Sequence, residues 1–152
     1  METNCFRLAE RFVGLSEVSG QVDNPQIVAM LRLDASWPEH DEVPWCSALV
    51  DYVSWLLNVP RAHSLRARSW LRVGRPIDLL EARAENDVVV LSRGANAPGP
   101  DTLAAPGHVG FFAGLGHDAL EPTVWILGGN QNDSVSISEY AQSRILGVRR
   151  LV

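Results

Sequence analysis

The chain has 152 residues, 46% of them hydrophobic and 20% charged, which suits one globular domain over 1–152 with room for a full core. A net charge of −5 argues against nucleic acid or an anionic membrane surface as the main partner. No stretch approaches the ~20 apolar residues of a membrane span.

All thirteen basic residues are arginine, a bias that GC-rich coding explains as simply as carboxylate or phosphate recognition does. Cys5 and Cys46 are too few for a disulfide framework and read as unpaired thiols. The amino-terminal stretch carries Glu2 and Glu10 and no long apolar run, so it does not read as a secretory signal.

Phe6, Ala9, Phe12 and Val13 fall at helical spacing and predict a first helix over 4–14. "DNPQIVAMLRL" predicts a second helix over 24–33, with Asp23 as N-cap, Pro25 in the first turn and Gln26 completing a capping box. After the loop "ASWPEHDEVP", Cys46, Leu49, Val50, Val53 and Leu57 line one face of a third helix over 45–57. "SLRARSWLRVG" reads as a short helix over 64–74 that Gly74 ends. The period then changes. "DVVVLSRG" (87–94) is a buried β-branched strand, and "GANAPGPDTLAAPG" is a long, mobile-looking loop. Strands over 108–115, 123–129 and 135–138 follow, and "ILGVRRLV" (145–152) closes the sheet. Helices first and antiparallel strands after define an α+β domain.

Cys46 is placed at the mouth of the third helix. A thiol becomes a good nucleophile as a thiolate, and a helix N-terminus or a neighbouring imidazolium lowers its pKa. The same first turn offers unpaired N–H groups to an oxyanion. The bland alternative is a core cysteine, the commoner fate of a lone one. A suitable histidine decides between them. His40, His63 and His117 read as exposed loop or turn residues, whereas His108 opens a strand after a Pro-Gly pair, fixed by the ladder yet facing a cleft. If 108–115 and 123–129 form a hairpin centred near 118 or 119, the position opposite His108 is residue 129, give or take ~2. Asn130 and Gln131, in "GGNQND", are then both within reach of the ring as its orienting group.

"DEVPWCSALVDYV", "ARSWLRVG", "NDVVVLSRG", "GHVGFF", "LGGNQND" and "SRILGVRR" together resemble, in order and over residues 17–150, the NlpC-like and CHAP-like cysteine hydrolases of bacteria and phages. The resemblance implies a papain-like fold and cleavage of amide bonds in peptidoglycan, with the stem peptide as partner and no cofactor. It implies Cys46 as nucleophile, His108 as general base and Asn130 as the polar third residue, a position where such proteins vary; Gln131 is the alternative. Asn86 replaces a commonly found glycine, and the turn "GHDALEPT" is longer than usual. Asp41 and Glu42 suit the helix dipole; Asp41 is also a candidate for binding a stem-peptide amino group, and Trp45 for flanking the substrate groove.

The expectation is therefore an amidase or endopeptidase that acts in the periplasm or cell wall. It would arrive there as a phage endolysin or as an exported antibacterial effector toxin with an immunity or export partner. The alternatives are a non-enzymatic papain-like binding module and a metal-dependent hydrolase using Cys46, His108 and His117, whose spacing matches no familiar zinc pattern.

Overall fold

The computed structural model describes residues 2–19, 23–38 and 44–152. Among these residues three α-helices come first: α1 (Cys5–Ala9), α2 (Pro25–Leu31) and α3 (Cys46–Leu56). Six strands follow: β1 (Arg75–Ile77), β2 (Asp87–Ser92), β3 (Gly107–His117), β4 (Pro122–Gln131), β5 (Ser134–Ala141) and β6 (Ile145–Arg150). The strands form one sheet in the order β1-β6-β2-β3-β4-β5, and every pairing is antiparallel. The architecture is α+β, and among the described residues no helix is long and apolar enough to cross a membrane.

Local chemistry explains most element boundaries. Asn4 caps α1 by accepting from the Arg7 N–H at 2.9 Å. That helix tightens into a 3-10 turn over Glu10–Phe12, so the apolar spacing read as one helix over 4–14 covers two shorter pieces. Asn24, rather than Asp23, caps α2: its side chain accepts from the Gln26 N–H at 3.0 Å, with Pro25 in the first turn. The expected fourth helix is a 3-10 segment over Ala67–Arg72. β1 went unread, because "RPI" is three residues long and contains a proline.

The sheet divides the core in two. On the helical side, Ile27, Leu31, Leu49, Val53 and Trp70 pack with Val88, Val90, Val109, Phe111 and Leu127. Val89, Leu91, Phe112, Val124, Ile126 and Val148 fill the other side. β2 is thus buried on both faces, which is why its sequence is a continuous apolar run without alternation.

The loop before β3 is pinned. The fully buried Arg68 donates to the carbonyls of Pro98 (3.0 Å), Gly99 (2.8 Å), Thr102 (3.3 Å) and Pro106 (3.0 Å). A segment that its composition marked as mobile is therefore tied down by one guanidinium, ending at the residue two before His108.

Candidate functional site

Cys46 is the first residue of α3, and no side chain caps that helix, so its opening N–H groups are left to other partners. The Cys46 thiol faces the N–H groups of Ser47, of Cys46 itself and of Val109, the residue beside His108. Burial is nevertheless the largest influence and pushes the thiol above its ordinary value, against the lowering by these N–H groups and by the Arg93 charge. The expected low-pKa thiolate is therefore not the resting state: desolvation outweighs the helix terminus.

His108 is fully buried on β3, opposite Leu91 of β2. Its Nε2 lies 2.9 Å from Gln131 Oε1. The orientation of the Gln131 amide is fixed by its nitrogen, which donates to the Ser136 carbonyl at 2.7 Å and to the hydroxyls of Ser136 (3.1 Å) and Ser138 (3.2 Å). A carbonyl can only accept, so Oε1 must be the atom that faces His108. The imidazole Nε2 then carries the proton, and Nδ1 bears the lone pair. Nδ1 is buried and has no hydrogen-bond partner. Burial pulls His108 down to about 4, opposed by the Gln131 contact, so the ring is neutral.

Tyr140 completes the constellation. Its hydroxyl donates to Gln131 Oε1 at 3.0 Å, and its ring centroid is 5.4 Å from that of His108. Burial raises the Tyr140 hydroxyl, with a smaller upward influence from Cys46.

Gln131, not Asn130, is thus the histidine's partner. β3 and β4 form the expected hairpin and pair as far as Phe111 opposite Leu127; that register, extended, would set residue 130 opposite His108. Strand alternation then failed, because the pairing of β4 with β5 slips by one residue between Gly128 and Gln131. Asn130 takes a left-handed φ of 55° within that bulge, and the extra residue turns Gln131 onto the histidine's face. The two glycines before it make room. A Cβ on Gly128 would come within 2.7 Å of Gln131 Oε1 and 3.2 Å of His108 Nε2. A Cβ on Gly129 would come within 2.6 Å of the Trp45 ring.

Trp45 does not flank an open groove. It is fully buried, with Nε1 donating to Glu17 Oε1 at 2.7 Å and its ring lying against Gly129, so it anchors the residue before Cys46. Asp41, Glu42 and His40 lie outside the described residues. His63 belongs to a separate cluster, in which its ring lies 3.3 Å from Asp34 and its N–H donates to Asp51. His117 ends β3, near whose start His108 lies, roughly 30 Å away at ~3.4 Å per residue. The three residues weighed as zinc ligands therefore cannot share an ion, and no other metal-binding group of three occurs among the described residues.

Tyr140, Ser136 and Ser138 were missed by sequence reasoning. Their signal was present in "SVSISEY", where polar residues at alternate positions face one side of a strand paired with "LGGNQ". Comparison with protein-family models, curated proteins and solved structures finds no match to this chain.

Proposed function

We propose that the chain is a papain-like cysteine hydrolase that cleaves an amide bond in the peptidoglycan stem peptide. The observation that carries this reading is the His108–Gln131 pair. Gln131 holds Nε2–H and leaves a buried, unpartnered lone pair on Nδ1, on a strand whose next N–H faces the Cys46 thiol.

In the proposed reaction, Nδ1 of His108 takes the thiol proton as Cys46 Sγ attacks the carbonyl carbon. The first-turn N–H groups of α3 and the Val109 N–H are the donors available to the oxyanion. Collapse of the tetrahedral intermediate breaks the C–N bond, and the imidazolium returns its proton to the leaving amine. Water, deprotonated by His108, then attacks the thioester; the carboxylic acid leaves and the thiol is restored. Gln131 and Tyr140 keep the ring in the required tautomer throughout.

The neutral thiol and neutral imidazole at rest fit this sequence, since proton transfer can accompany attack rather than precede it. Peptidoglycan as substrate rests on the resemblance carried by six sequence stretches, and such a substrate would have the protein act in the periplasm or wall, as an endolysin or an exported effector. Digestion of purified peptidoglycan, with the fragments identified by mass, tests the reading; release of stem-peptide fragments by the wild type and not by Cys46→Ala is the expected result.

A further inference from the structure

Two arginines stand close to His108 in the fold, and the mechanism above uses neither. Arg93 directly follows Ser92, the last residue of β2, which pairs with Gly107 next to His108. Arg144 ends a 3-10 turn after β5, and its Nε and Nη2 both donate to the Ser92 carbonyl, at 3.1 and 2.9 Å. Its guanidinium carbon lies 5.2 Å from the centroid of the Tyr140 ring, which in turn neighbours His108. Arg144 is therefore fixed, and it holds the carbonyl of the residue before Arg93.

Arg93 itself is exposed and makes no hydrogen bond or ion pair among the described residues. Gly94, in the left-handed region at φ 89°, turns the chain directly after it. The Arg93 charge acts on Cys46, His108 and Tyr140, and the Arg144 charge on His108 and Tyr140. Among the described residues, the charges that act on Cys46 and His108 are thus cations, set beside a neutral thiol and a neutral ring.

Two like charges at one rim repel, and a guanidinium without a partner presents a planar fork of donors that matches a carboxylate. We propose that Arg93, supported by Arg144, binds a carboxylate of the substrate beside the scissile amide, so that the enzyme prefers stem peptides whose carboxylates are free over those in which they are amidated. The proposal rests on the hydrolase reading above. Arg93 is a specificity-determining residue in this scheme, because amidation removes the charge and leaves the rest of the substrate unchanged.

The test is a cycle between enzyme and substrate. Two soluble peptidoglycan fragments, identical except that one has its stem carboxylates amidated, are cleaved by wild type and by Arg93→Gln. Wild type is expected to favour the carboxylate form in kcat/KM by about 10- to 100-fold, the range for one charge-assisted contact, and Arg93→Gln to bring that ratio close to one. Binding of both fragments to the Cys46→Ala protein, measured by calorimetry, should show the same preference. Equal cleavage of the two fragments by wild type, or a preference that persists in Arg93→Gln, overturns the role of Arg93 and leaves the hydrolase reading standing. Cleavage of neither fragment by folded wild type overturns both.

Discussion

His108 Nε2 and Gln131 Oε1 lie 2.9 Å apart, and this contact joins strands whose registers do not run evenly to it. It assigns the tautomer of the histidine and separates Gln131 from its neighbour. Gln131→Ala is expected to lower kcat by about 10- to 1,000-fold, the scale for an orienting group, while Asn130→Ala stays within a few-fold of wild type. Steady-state kinetics on a peptidoglycan fragment distinguish them. The reverse ranking would return the role to Asn130.

The adjacent glycines have separate jobs. Gly128→Ala drives a methyl group into the His108–Gln131 contact, so it should reduce activity strongly with a smaller effect on stability. Gly129→Ala meets the buried Trp45 ring and should chiefly destabilise the fold, by about 1–3 kcal/mol for overpacking. Paired measurements of kcat and of the denaturation midpoint check this division.

The pH dependence follows from the buried histidine. Its folded value, about 4, lies below its ordinary 6.5, so the neutral ring contributes stability that is complete above pH 6.5 and lost as pH falls through about 4. The shift corresponds to an acid-induced loss on the order of 3 kcal/mol, which His108→Leu should remove from a plot of unfolding free energy against pH. The acid limb of kcat/KM should likewise fall near pH 4 rather than 6.5. Replacing Gln131 with Glu puts a carboxylate against the ring and should move that limb upward.

Arg68→Met removes the donors from four loop carbonyls. The four acceptors sit on exposed residues and can turn to water, so the expected loss is about 1.5–3 kcal/mol, the scale of a hydrogen bond from a charged donor. Chemical denaturation measures it. Faster amide exchange confined to residues 94–106 would show that the loop, rather than the sheet, has loosened.

The sequence announced its helices and strands where hydrophobic period and burial agreed, as in "DVVVLSRG" and the face of α3 from Cys46 to Val53. The positions of Cys46 and His108 were legible for the same reason: Cys46 begins α3 and His108 is the second residue of β3, and local chemistry marks the start of each element. What stayed hidden depended on non-local pairing. The bulge that turns Gln131 inward exists only in the register between β4 and β5, and alternation along one strand favours the wrong neighbour. Trp45, beside a candidate nucleophile, invited a role at the groove, whereas the space that Gly129 leaves for its ring is visible only once the strand and the helix are packed together.

The most direct test of the central claim is digestion of purified peptidoglycan by wild-type protein and by folded Cys46→Ala, followed by mass analysis of the soluble products. Stem-peptide fragments with a newly formed carboxylate and amine should appear with wild type and fall by several orders of magnitude with Cys46→Ala, as for loss of a covalent nucleophile. Fragment release by Cys46→Ala within tenfold of wild type would contradict the cysteine mechanism, and release by neither protein would contradict peptidoglycan as the substrate.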